Sequence, residues 1–316
     1  MLKRLIIYVF VFCLPSAMLP AQNTYPEMFR KELSFTTEND AYLLQKRDAY
    51  YTNGMFVTLR TSVEKKGSKL ISSFELGQMI YTPLIRKTAT PADIDRPYCG
   101  QLFFKYGQTR FLKQEAVFEL GAGITVLGPV SYGESLQNSY HKLLKYARFT
   151  GWPYQVQNAI GPDMGISYAQ TLLEKSSWIK MIPRVQANLG ATFINAGIGL
   201  YTCFGLFEKN RNSALWNARI QSNEKDNRRD HEFFIYWYPQ LIWQGFNATV
   251  EGGLFDKGTG AVLGEIERRI FQQNIGICYA RGRWTTKAVW VYQSKESVSQ
   301  KMAQKYGSFL LSYRLH

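Results

Sequence analysis

The sequence predicts an all-β fold: a transmembrane antiparallel β-barrel of about twelve strands, with a short helix in one long external loop. Composition is the first sign. The chain holds 20 Tyr, 20 Phe, 7 Trp and 25 Gly, yet its mean hydropathy is only −0.24. Aromatic richness without overall hydrophobicity suits strands that alternate lipid-facing and lumen-facing side chains. The second sign is a period of two along segments of membrane-crossing length, and the third is an alternation of short and long connections between them. A soluble β-sandwich also alternates and is the rival on pattern alone.

Residues 1–21 read as a secretory signal peptide. Lys3 and Arg4 precede an apolar run from Leu5 to Leu14, and the small residue Ala21 closes the segment. That run is about half of the roughly 20 residues a spanning helix needs, and Pro15 follows it. Bulky Phe10, Val11 and Phe12 argue against lipid attachment at Cys13. The barrel domain is then 22–316, a single domain with no internal repeat. It retains Cys99, Cys203 and Cys278, widely spaced and without a CxxC pair, so neither a disulfide framework nor a cysteine metal site is implied. Net charge is +14, or +12 without Lys3 and Arg4, which points to anionic partners. For an exported chain these are phosphorylated lipids; no nucleic-acid motif is present.

The strands are expected near 31–38, 51–62, 69–80, 96–106, 115–126, 163–174, 178–189, 193–207, 232–252, 264–280, 282–293 and 305–315. In the fifth, Ala116, Phe118, Leu120, Ala122 and Ile124 share one face, and Glu119, Gly121, Gly123 and Thr125 the other. The eighth sets Ile194, Ala196, Ile198 and Leu200 against Asn195, Gly197, Gly199 and Tyr201, and the last puts Phe309, Leu311, Tyr313 and Leu315 on one face. With both termini on the periplasmic side, the long connections 39–50, 81–95 and 127–162 face outward, and the short stretches EKKGSK and GQTRFLKQ face inward. The polar stretch 209–231 falls on the periplasmic side, and its length has no account in the sequence.

Connection 127–162 is too long for a turn, and structureless loops of that length are usually functional or disordered. Within it, Tyr140, Leu143, Leu144 and Ala147 recur at helical spacing, so a short amphipathic helix can lie against the barrel mouth. Gln137 and His141 then share one face. The strand count brings four polar clusters to the same end: TEND (37–40), YYTNG (50–54), YTPLIRK (81–87) and DIDRPYCG (93–100). A histidine, carboxylates, hydrogen-bond donors and a lysine around one cleft are the ingredients of a hydrolytic site. The plain alternatives are turn-forming Asx residues, a solvated histidine and an ordinary surface lysine. His231, in a charged run, reads as a loop residue, and His316 is the last residue.

In order along the chain, END, YYTNG, GQMIYTP (77–83), DRPYCG, GPVSYG (128–133), QNSYH (137–141) and GW (151–152) resemble the outer-membrane lipid A 3′-O-deacylase family. The motifs run from about residue 32 to 160, and the remainder agrees as barrel strands. The resemblance implies a twelve-stranded barrel in the bacterial outer membrane, its site facing the exterior. There it would hydrolyse the ester of the 3′-linked acyl chain of lipid A, the lipid anchor of lipopolysaccharide, with a divalent cation, calcium. Asn39 and Asp40 match the family's active-site pair, Thr52 its threonine, and Gln137 and His141 its helix pair. Lys87, with Arg96 beside it as a second cation, is expected to meet the substrate's phosphates. The carboxylate some relatives carry on the loop helix has no counterpart, Ala147 and Arg148 standing about two turns beyond His141. Asp40 and Asp95 are therefore the expected metal ligands. Two rivals stand beside this reading: a barrel phospholipase with Ser131, Ser135 or Ser139 as nucleophile, for which no GxSxG elbow is present, and a non-catalytic porin or lipopolysaccharide-binding barrel.

Overall fold

The computed structural model describes residues 29–44, 50–65, 68–176, 178–221 and 229–316. The expected signal peptide, 1–21, lies outside the described residues. Twelve wall strands run antiparallel: β1 (Lys31–Asn39), β2 (Tyr50–Lys65), β3 (Ser68–Thr82), β4 (Cys99–Phe111), β5 (Ala116–Leu127), β6 (Ala159–Gln170, continued by Leu173–Ser176), β7 (Ile179–Gly190), β8 (Phe193–Leu206), β9 (His231–Asn247), β10 (Arg269–Arg281), β11 (Trp284–Gln293) and β12 (Gln304–Leu315). Each pairs with its neighbours in sequence, and β1 with β12 closes the ring from Lys31↔Leu315 to Asn39↔Gly307. Closure removes every sheet edge, which is what lets strands cross a lipid core with all backbone groups paired.

The alternation holds as expected. Leu33, Phe35, Val57, Leu59, Phe74, Leu76, Leu120, Ile124, Ile198 and Leu311 stand exposed on the outer wall, whereas Glu32, Ser34, Thr58, Ser312 and Arg314 are buried inside. Several strand ends differ from expectation. β9 stops at Asn247, because its side chain caps a helical turn, α2 (Ala248–Glu251), by accepting from Thr249 N. β10 starts only at Arg269, so 248–268 is an external loop and not strand. β4 begins at Cys99, the residues from Asp95 to Tyr98 being drawn into loop packing. β6 begins earlier, at Ala159, and takes in Pro162. Opposite it, β7 ends at Gly190, paired to Asp163, so the missing N–H of Pro162 faces no strand partner. His231, expected in a loop, opens β9 with its side chain exposed.

The lumen is filled from both ends. At the periplasmic end the segment after β8 folds up into the barrel: Trp216, Ala218 and Ile220 pack against Ile71, Phe111, Val117, Ala169 and Ile182. Inward lysines of the wall hold this plug by its carbonyls, Lys69 Nζ donating to Ala218 O (3.0 Å) and Asn212 Oδ1 (3.2 Å), and Lys287 Nζ to Leu215 O (3.2 Å) and Asn217 Oδ1 (2.8 Å). Arg219 pairs with Glu232 at 3.1 Å, both buried. The polar stretch thus replaces water as partner for charges that point into the barrel, since buried charges must be paired. At the outer end Tyr51, Tyr81 and Tyr306 pack together, and the Tyr51 hydroxyl donates to Glu38 (2.6 Å). Between the two fillings lies a polar cavity of about 210 Å³ bordered by Arg60, Glu75, Glu119 and Arg184.

Candidate active site

Two pieces build the site: the outer rim of β1 to β4, and helix α1 (Gly133–Leu144) of loop 128–158. Parity fixes which side of the wall the rim residues take. Asn39 pairs with Asn53 in the register that pairs Phe35 with Val57, so it belongs to the lipid-facing set; Ile80 and Gly100, paired to each other, share the parity of the exposed Phe74 and Leu76. Asn39 ends β1 by accepting from Ala41 N through Oδ1 (2.8 Å), which starts the short helix Asp40–Leu43 and buries Asp40. Opposite this exit β2 carries a bulge between Tyr51 and Asn53 that holds Thr52 out of register. Bulges re-aim side chains beside sites. The Thr52 hydroxyl donates to Ile80 O (3.2 Å), tying β2 to the apolar cluster of Ile80, Ile94, Tyr98, Phe149 and Trp152.

Helix α1 seats on this same outer rim. Gly100 and Gly133 meet backbone to backbone: a Cβ on Gly133 would stand 2.7 Å from Gly100 Cα, and one on Gly100 would stand 2.2 Å from Ser131 Oγ. Gln78 Nε2 donates to Ser131 O (2.6 Å). The helix turns a polar face inward, contrary to the expected amphipathic packing. Gln137 and His141 are each only 3% exposed, whereas Leu143 is 78% exposed. Ala147 lies beyond the helix. Lys145 ends it with φ 58°, and the chain turns so that Ala147 O accepts from His141 Nδ1 (2.7 Å). A carbonyl can only accept, so Nδ1 carries the hydrogen and the lone pair of the neutral ring is on Nε2. The ring sits between Tyr146 (5.8 Å) and Phe149 (5.5 Å). Gln137 Oε1 accepts from Trp152 Nε1 (3.0 Å), while its Nε2 is buried without an acceptor. Leaving such an amide unsatisfied costs about 1–3 kcal/mol. Burial raises the Tyr98 hydroxyl above its ordinary range, so it stays neutral within the cluster.

The rim therefore gathers Asn39, Asp40 and Thr52 where the β1–β2 ladder ends, and the Ile80 cluster links them to Gln137 and His141. Three expected residues fall elsewhere. Asp95 braces loops, its Oδ2 accepting from the Tyr50 hydroxyl (2.7 Å) and its Oδ1 from Leu84 N (2.9 Å). Arg96 is 0% exposed, donates to Glu296 (2.9 Å) and Thr249 (2.9 Å), and lies 4.1 Å over the Tyr81 ring. It is a strut between loops, not a substrate contact. Lys87 is exposed, and the neighbouring cation Arg86 is the one stacked on Phe149 (5.8 Å), against the histidine. Arg86 stands one position before the Lys87 expected from the sequence, and Trp152 enters the sequence reading only as half of a GW motif.

As for a cation, no group of three or more His, Cys, Asp or Glu side chains suited to a metal occurs among the described residues. The oxygens at the rim are those of Asp40, Asn39 and Thr52, a hard donor set that suits calcium, with the rest of that ion's roughly six to eight oxygen ligands left to water and substrate. The serine rivals fare differently. Ser131 is buried with its hydroxyl donating to Gly128 O (2.6 Å), and Ser135 and Ser139 are exposed on the side of α1 away from His141.

Comparison with known proteins bears on the whole chain. Residues 5–315 match the family model described as outer membrane protein LpxR. No curated protein matches the sequence. Among solved structures, LpxR from Salmonella typhimurium superposes with a TM-score of 0.73 at 18% identity, covering 90% of this chain and 100% of that one. At this identity the likeness shows the fold. The β domain of the Bordetella autotransporter BrkA (TM-score 0.47, 10% identity, covering 91% and 99%) and the translocator domain of NalP from Neisseria meningitidis (0.44, 9%, 90% and 89%) match more weakly, below the level that carries an argument.

Proposed function

The chain belongs to the LpxR outer membrane protein family, and from that premise we propose that it is an outer-membrane esterase that removes the 3′-linked acyl chain of lipid A. The observation that carries this reading is the burial of Gln137 and His141 against the outer rim of the barrel, where α1 seats on β3 and β4, strands whose outer wall exposes Phe74, Leu76 and Phe104. A substrate whose acyl chains run down the lipid face and whose ester lies at headgroup level meets that face without entering the lumen.

His141 acts as general base. With Nδ1–H held by Ala147 O, Nε2 takes a proton from water as the water oxygen bonds to the acyl carbonyl carbon. The tetrahedral oxyanion then collapses, the ester C–O bond breaks, and the imidazolium returns its proton to the departing sugar-side oxygen. The products are a free fatty acid and a lipid A with one more hydroxyl. Asp40 and Asn39 would hold a divalent cation, which when bound would supply electrostatic stabilisation of the developing negative charge. Arg86, beside Phe149, supplies positive charge for an anionic headgroup. Attack by water fits the burial of Ser131 in a turn better than a serine nucleophile does. A porin reading needs an open lumen, and the packing of Trp216, Ala218 and Ile220 between the wall strands weighs against it.

The test is release of fatty acid from lipid A by the purified protein in detergent, with and without a chelator. The expected result is release of the 3′-linked chain alone, lost in His141→Asn and lowered by the chelator and restored by calcium. Release from phospholipid but not lipid A would overturn the substrate assignment.

A further inference from the structure

Resting on the reading of Gln137 and His141 as the reacting face, we propose that Trp152 is a positioning residue: it fixes the polarity of the Gln137 amide so that α1 presents an N–H donor to the acyl carbonyl oxygen. An indole N–H can only donate. Because Trp152 Nε1 donates to Gln137 at 3.0 Å, the amide oxygen must face the indole and the NH2 must face away. Gln137 Nε2 is then a buried donor with no acceptor among the described residues. Such an orphan calls for an explanation, and a ligand that brings the acceptor is one.

The ligand chemistry follows from the neighbour one turn on. Gln137 and His141 stand at i and i+4, on one helix face, about one turn apart. The histidine, committed through Nδ1–H to Ala147 O, offers a lone pair; the glutamine, committed through Oε1, offers hydrogens. A donor and an acceptor so spaced match an ester carbonyl and the water that attacks it. The amide N–H would hold the carbonyl oxygen as negative charge builds there, while Nε2 of the histidine receives the water's proton. Gln137 would thus serve as a donor to substrate and not as an oxygen ligand to a cation, its oxygen being turned the other way.

Trp152 itself is fully buried, packed beside Tyr98 at 5.2 Å within the cluster of Ile80, Ile94 and Phe149. It touches no substrate and acts through Gln137 alone. The indole ring is also large enough to be a plain core residue, so the test must separate the two roles.

The experiment is a double-mutant cycle on the purified full-length protein in detergent, with lipid A as substrate and kcat and KM measured separately. Gln137→Ala is expected to lower kcat about 100-fold. Trp152→Phe, which keeps a ring and removes the N–H, is expected to lower kcat about 10-fold with KM little changed. In the Gln137→Ala background Trp152→Phe should cost nothing further, because there is no amide left to orient. Equal losses in both backgrounds would mean that the indole only packs, and would overturn the inference. If Trp152→Phe does not fold, judged by heat-dependent gel mobility, Gln137→Glu decides. It keeps the acceptor for the indole and removes the donor, so a folded protein with kcat lowered about 100-fold supports the inference and an active one overturns it. A parent protein that releases no acyl chain overturns the reading of the site and this inference together.

Discussion

At the scale of single residues, the site is set by which atom of each side chain is already engaged. His141 is oriented by a backbone carbonyl, Ala147 O, three residues past the end of α1. Sequence patterns record side chains, so a histidine oriented by a backbone carbonyl is invisible to them. The two loop cations show the same limit. Counting from Pro83 points to Lys87, whereas the loop turns Arg86 over Phe149, with Thr150 N donating to Arg86 O (3.1 Å), and leaves Lys87 in solvent. Arg86→Ala is therefore expected to raise KM for lipid A about 10-fold, while Lys87→Ala changes it little, a contrast that steady-state kinetics reads directly. Equal effects would return the weight to Lys87.

At the scale of elements, α1 carries a sequence signal that points the wrong way. Leu143 and its helical neighbours suggested a face packed on the barrel mouth, yet Leu143 is exposed and the polar pair is buried. Burying a glutamine amide and an imidazole in place of a leucine costs stability, a departure expected at sites of function. What seats the helix is the contact of Gly100 with Gly133, which leaves no room for a side chain. Gly133→Ala is expected to displace α1 and lower kcat about 100-fold while the barrel still forms, checked by kinetics beside gel mobility. The wall strands are legible because a period of two survives in any lipid-facing strand; β10 begins five residues later than expected, Ile266 between Glu265 and Glu267 continuing that period by chance. The plug was not legible. Its polar residues look like a loop, and only closure of the barrel reveals that they complete Lys69, Lys287 and Glu232. Arg219→Ala, which strands the buried Glu232 charge, is expected to cost about 3–5 kcal/mol and lower the unfolding temperature, with kcat unchanged because the plug lies at the far end from α1. An unshifted melting temperature would show that the plug adds nothing to the fold.

At the scale of the molecule, the barrel is a platform more than a passage. Its lumen is packed by tyrosines at the outer end and by the plug at the other, and the residues proposed for the chemistry lie on the outer rim. The net charge of +14 suits a protein set among anionic lipids. In planar bilayers the protein is expected to show no steady conductance; stable open channels would support a porin instead. In the proposed reaction this rim removes an acyl chain from lipid A through His141. The measurement that reaches it most directly is mass spectrometry of lipid A from cells making either the intact protein or His141→Ala, both confirmed folded in the outer membrane. Loss of the 3′-linked acyl chain with the intact protein alone is the expected result, whereas unchanged lipid A in both, with calcium supplied, would contradict the enzyme, and equal loss in both would contradict the role given to the histidine.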